Sequence, residues 1–414
     1  MNFRLIRSIA LAAALAAASA LVAAPMAPAA AAQSVSAKVG TPLKAAQDLA
    51  KQRKFKEALD KVAEAEAVEG KTPFEVVTIQ KFKLYLYSQL RDYANAARAT
   101  EAALATGQLT AEETKSYKRQ LALFYFSANN TTKGVAAAKT YIAQYGNDDE
   151  LLLQLAQQAY QGKDYASAAD AAQKIVRGAE AAGRKPGEAA LKLWMASEFY
   201  LHKNTGYSES YVAALEKIVA YYPRPSYWHD LLVTVERKPG YSQKLKLDLF
   251  VLKFAVGALQ TELEYVGMAE TALVQNLPAY AQKVLESGMK ARLVTDGAGG
   301  RNKRLLAQAI QRAAAETIKP ADEADAAAQA NGEALARLAS VAASYGDYAK
   351  AIKLGKAAIA KDALTNLDNV RLHLGAAQIL ARDSAGGQAA MHLVKAKDGS
   401  ADIAKYWSLY SRQM

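Results

Sequence analysis

The sequence predicts an all-α protein, a solenoid of antiparallel helix pairs, and three observations carry that prediction. First, apolar residues recur at helical spacing: Leu335, Leu338, Ala339 and Ala342 fall at i, i+3, i+4 and i+7, and Leu152, Leu155, Ala156 and Ala159 form a second such stripe. Second, an aromatic residue, two mostly polar residues and an alanine return along the chain as Phe55-Lys56-Glu57-Ala58, Tyr93-Ala94-Asn95-Ala96, Tyr165-Ala166-Ser167-Ala168 and Tyr348-Ala349-Lys350-Ala351. Phe55 and Tyr93 are 38 residues apart, a degenerate copy starts at Thr131 another 38 on, and Tyr165 follows 34 later, which is the length of a helix pair with tight turns. Third, the 414 residues are 51% hydrophobic but only 8% aromatic, and much of the apolar share is alanine. Such small side chains let neighbouring helices approach to about 8–10 Å.

The amino terminus reads as an export signal. Arg4 and Arg7 precede an uncharged run over residues 8–24, then Pro25, Pro28 and an Ala-x-Ala site at Ala30-Ala31-Ala32. Residues 1–32 are therefore expected to be removed, with cleavage near Ala32, placing the mature chain in the periplasm without stable membrane insertion. With no cysteine, the chain has neither a disulfide framework nor the lipid-bearing residue of a lipoprotein.

The first pair runs from about Leu43 to Ala65, with Pro42 suited to a first helical turn. The second covers 74–104, and the third, over 112–144, is recognisable mainly by position. The fourth spans 150–176, and the fifth runs over 188–222 to Pro223. The segment Tyr221-Tyr222-Pro223-Arg224-Pro225-Ser226-Tyr227-Trp228 starts a sixth, which reaches about Leu259. In the seventh, over 262–289, Pro278 takes the aromatic's place and Ala281 keeps the packing position. Asp296-Gly297-Ala298-Gly299-Gly300 then breaks the pattern, so 296–331 reads as an irregular helical connector and the place for a hinge. An eighth pair over 333–361 and a ninth ending near Val394 follow, with 401–412 as a capping helix over an otherwise apolar end. The domain reading is thus a signal over 1–32, an amino-terminal array over 33–295, the connector over 296–331, and the last pairs with the cap over 332–414.

Over residues 43–394 this pattern, with its Gly346-Asp347-Tyr348 turn and packing alanines, resembles the tetratricopeptide repeat, and the longer pattern is similar to exported bacterial tetratricopeptide proteins. The resemblance implies a right-handed superhelix. It also implies a scaffold or adaptor that holds envelope protein or peptide segments in a concave groove, associated with a TonB-type energy-transduction system or another envelope complex. Carried onto this chain, the groove positions are Thr78, Lys81 and Tyr85, then Arg119, Leu123 and Phe126, then Leu153, Gln157 and Tyr160. That set suits a partly apolar segment carrying some acidic groups. Lys81 and Arg119 would serve a carboxylate clamp, but Tyr85 and Gln157 replace its asparagine, so that specificity is not carried over.

No catalytic constellation stands out. His202, His229, His373 and His392 are scattered without metal-ligand spacing, and no Gly-x-Ser-x-Gly elbow is present. Gly297-Ala298-Gly299-Gly300-Arg301 lacks the Gly-Lys-Ser/Thr ending of a phosphate loop. No metal, cofactor or enzymatic activity is expected. Formal net charge is +12, and +10 without Arg4 and Arg7, spread singly along the chain. Nucleic acid is not the expected partner of an exported protein; the alternative reading is an assembly factor whose basic surface binds peptidoglycan or anionic lipid.

Overall fold

The computed structural model describes residues 34–414 apart from 206, 317, 319, 329, 330, 362 and 363; the signal-type segment and its cleavage site lie outside the described residues. Among the described residues there are twenty-one α-helices and no strand. The chain divides into two compact units, Met1–Ser197 and Glu198–Met414. The division falls within helix α9 (Glu188–His202).

In the first unit, α1 (Ala37–Lys51) pairs with α2 (Phe55–Glu66), α3 (Pro73–Leu90) with α4 (Tyr93–Ala105), α5 (Ala111–Ser127) with α6 (Thr131–Tyr145), and α7 (Asp149–Gln161) with α8 (Tyr165–Ala181). Each pair also stacks on the next, and the first helices of adjacent pairs touch in α1 with α3 and α5 with α7. The packing alanines point inward: Ala58, Ala96 and Ala168 are fully buried, as is Ala281 in the second unit, where Ala351 is 2% exposed. Their small size is what lets paired helices nest.

One turn closes these pairs. In α3 to α4, Arg91 is left-handed at φ 59°, the Asp92 N–H donates 2.9 Å back to the Tyr87 carbonyl, and the Asp92 side chain accepts from the Asn95 N–H. Asn129 with Asn130, Lys163 with Asp164, Gly346 with Asp347, and Arg382 with Asp383 repeat this arrangement. The left-handed position is glycine only at Gly346, so the bond pattern, not the residue type, enforces the turn.

The first helix departs from expectation. Pro42 lies inside α1, which begins at Ala37 rather than at about Leu43. Proline removes one backbone donor. Burial of Val39 and a hydrogen bond from the Ser36 N–H to Glu75 Oε1 at 2.8 Å favour the earlier start.

The second unit begins with α10 (Glu209–Tyr221), α11 (Pro225–Arg237), α12 (Lys246–Ala255), α13 (Glu262–Val274) and α14 (Pro278–Lys290). The segment after Gly300 forms α15 (Arg301–Ala315), which packs on α14, and α16 (Pro320–Ala328) packs on α17 (Gly332–Ser344). The unit ends with α18 (Tyr348–Ile359), α19 (Leu367–Leu380), α20 (Ser384–His392) and α21 (Ser400–Ser411). Helix α21 covers α19 and α20, as a cap should, and also returns to the unit's beginning. Tyr410 meets the Trp228 ring edge-on at 6.4 Å, Lys238 pairs with Asp402 at 2.8 Å, Lys405 pairs with Glu216 at 2.5 Å, and the Gln413 amide donates to the Val219 carbonyl. The second unit is therefore closed by its own last helix.

Candidate functional site

Helices α3, α5 and α7 are the first helices of three successive pairs, and the nine groove candidates lie on them at steps of three or four residues. That step places each trio along one helix face. Eight of the nine keep partial exposure: Thr78, Lys81, Tyr85, Arg119, Leu123, Leu153, Gln157 and Tyr160. The ninth, Phe126, is 5% exposed. Phe126 is thus corrected from a groove residue to a core one. Its ring occupies the place where a side chain at Gly134 would stand, in a copy of the packing motif that has glycine where Phe55, Tyr93, Tyr165 and Tyr348 are followed three residues on by alanine.

Lys81 and Arg119 also stand differently from the expectation of open cations. Lys81 Nζ lies 2.5 Å from Glu113 Oε1. The Arg119 guanidinium reaches Asp148 Oδ2 at 2.7 Å and Glu150 Oε2 at 2.7 Å. Glu113 is the third residue of α5 and caps it with Thr110, and Asp148 caps α7 by accepting from the Leu151 N–H. Each carboxylate therefore satisfies free N–H groups at its own helix start and holds a cation of the preceding pair. Burial alone would raise the Glu113 and Asp148 carboxyls; hydrogen bonds and charge from Lys81, from Arg119 and from the helix starts outweigh it and hold both below their ordinary values.

Glu75 ties the preceding pair through a neutral residue instead of a cation. It forms a capping box with Thr72 and accepts from both the N–H and the hydroxyl of Ser36 at the start of α1. The Ser36 hydroxyl bond leads the causes that bring its pKa down to about 2. A ladder of carboxylate clips thus runs from α1 to α3 to α5 to α7. The spacing of 32 residues between Lys81 and Glu113, and of 29 between Arg119 and Asp148, hid these pairs from a reading of local sequence.

The remaining candidate side chains make fewer polar contacts. The Thr78 hydroxyl donates to the Phe74 carbonyl, Tyr85 sits edge-on to Phe55 at 6.5 Å, and Tyr160 stands edge-on to Tyr165 at 5.5 Å. With its cations neutralised, the face offers two phenol rings, two leucines, an amide and a hydroxyl. Among the described residues no three His, Asp or Glu side chains gather as a metal site.

No family model and no curated protein matches the chain. Among solved structures it is similar to a tetratricopeptide repeat protein from Parabacteroides merdae, with 13% identity over 66% of this chain and 100% of that one at a TM-score of 0.32. It is also similar to Naa15/Naa10 bound to HypK-THB, with 14% identity over 87% of this chain and 58% of that one at 0.36, and to yeast Tom70, with 10% identity over 91% and 96% at 0.24. In the chain's own coordinates, second helices begin at Phe55, Tyr93, Thr131 and Tyr165 at the expected spacing, each first helix packs on its second, and alanine fills most of the close contacts. Among the described residues each of the two units is all-α and built from antiparallel helix pairs packed on one another, the fold class that the sequence pattern predicts.

Proposed function

We propose that the chain is a scaffold for protein partners and holds an extended segment across α3, α5 and α7. The observation that carries this reading is the alignment of eight part-exposed side chains on three successive helices whose register is fixed by carboxylate clips. A face already held in place loses little freedom on binding, so a few aromatic anchors such as Tyr85 and Tyr160 suffice for affinity. Because Lys81 and Arg119 are paired, the segment that suits this face is partly apolar and close to uncharged rather than acidic. Arg4, Arg7 and the Ala30-Ala31-Ala32 site support export, so the partner is an envelope protein or peptide in the periplasm, with a TonB-type energy-transduction system as one such setting.

The test is capture of envelope proteins by the full chain carrying a photo-crosslinker at Leu153, a position that the test substitutions leave unchanged. Capture is expected to change less than about twofold between low and high salt, since both cations of the face are already paired and its anchors are uncharged. It should drop at least about tenfold in Leu123→Lys with Gln157→Glu, which places charges on an apolar contact while leaving helicity unchanged. Full capture by that folded variant overturns the reading. Steep loss with salt, together with sedimentation on sacculi or anionic vesicles, would instead favour the basic surface and an envelope-assembly role.

A further inference from the structure

Three polar side chains from separate helices meet between helices of the second unit, where the His373 side chain is 36% exposed and that of Asp248 14%. His373 of α19 places Nε2 2.6 Å from Asp248 Oδ1 of α12, across 125 residues of sequence, and Nδ1 3.2 Å from Ser340 Oγ of α17. The Ser340 hydroxyl is itself 3.2 Å from the Ala336 carbonyl one turn back. These groups stand beside a cavity of about 50 Å³ whose other walls include Val251, Leu372 and Trp407.

Counting protons identifies the state that this geometry suits. The Ala336 carbonyl can only accept, so the Ser340 hydroxyl donates to it and receives the His373 Nδ1–H; the Asp248 carboxylate receives the Nε2–H. Both ring nitrogens then carry protons, and the imidazolium satisfies every member of the trio. The order Asp, His, Ser resembles a hydrolase relay, but here it lacks the rest of that chemistry. Ser340 sits within α17, where the backbone N–H groups are spent on helical bonds, so no pair of free donors waits for an oxyanion, and the hydroxyl proton points away from the ring.

We infer that protonated His373 is a pH-operated latch fastening α12 to α17 and α19 within the second unit. Asp248 from α12 is the charge that faces the ring; α17 contributes Ser340, which does not titrate, and the neighbouring cavity walls contribute Gln275 and the Tyr280 hydroxyl. Burial, helped by the nearby Asp248 charge, pushes the Tyr280 and Tyr241 hydroxyls up, so both stay neutral through the range in which the latch works. Burial opposes the imidazolium, but the charge of Asp248 and its hydrogen bond prevail and hold His373 above its ordinary 6.5. Because the folded value is raised, the stabilisation is complete below the unfolded value and is lost as pH rises through the folded one.

The test is a proton titration of His373 by NMR in the full chain, joined to hydrogen exchange of α12 and α19. The expected midpoint lies above 6.5 in the native sequence and falls in Asp248→Asn. Protection of α12 and α19, corrected for intrinsic exchange, should drop severalfold from pH 6 to pH 8.5 while α3 stays level, and His373→Gln should remove that dependence. A native midpoint at or below 6.5, or protection that is flat with pH in the native chain, overturns the latch even where a substituted chain fails to fold. PH-dependent protection retained by folded His373→Gln overturns it as well.

Discussion

Gly134 and Phe126 show how one missing methyl group redirects a neighbour. Where four copies of the motif have Ala58, Ala96, Ala168 and Ala351, Gly134 leaves room for a ring, and a Cβ built there would lie 2.6 Å from Phe126 Cε1. Gly134→Ala is expected to cost about 1–3 kcal/mol by overpacking, measured by chemical denaturation. Adding Phe126→Leu should recover part of that loss. The sequence marks Gly134 as a degenerate position, but the helical spacing of Phe126 fits a groove residue as well as a core one. Only the depth to which the ring sinks between α5 and α6 separates the two, and depth depends on the partner helix rather than on periodicity.

Helices and their turns were legible because the forces behind them are local. The Asp-aromatic-x-x-Ala motif contains the capping carboxylate, the first helical turn and the packing position within five residues, and the observed helices start where it occurs. The ties between pairs were not legible, since Arg119 finds Asp148 and Glu150 only once stacking has set the offset of α5 against α7. Arg119→Ala should destabilise the first unit by about 1–2 kcal/mol, a range between exposed ion pairs and part-buried hydrogen bonds to charge. Native-state hydrogen exchange should place the largest loss of protection in the first turn of α7, where Asp148 loses its cation but keeps its cap. The same variant leaves Glu150 unpaired at the proposed binding face, so a neutral partner segment should bind more weakly to it.

At the scale of the whole molecule, the second unit is held by contacts that no repeat pattern encodes. Lys405 and Glu216 are 189 residues apart, and Trp407 is 1% exposed where α21 meets the beginning and end of the unit. Trp407→Ala is expected to cost about 3–5 kcal/mol, the usual penalty for emptying a buried indole site. If α21 were only a cap, that loss would appear in α19 and α20 alone. Closure predicts that exchange also quickens in α10 and α11, and unchanged protection there would refute it. The terminal helix could be read from the sequence as an end cover, but its second set of contacts depends on how far the intervening pairs curve, and that emerges only from their summed packing.

This seam bears on how the protein can grow by duplication. An extra module spliced into α1–α8 would meet only the modules on either side of it. One spliced between α12 and α20 would carry Tyr410 away from Trp228, so the number of modules in that half is fixed by the need for its two ends to meet.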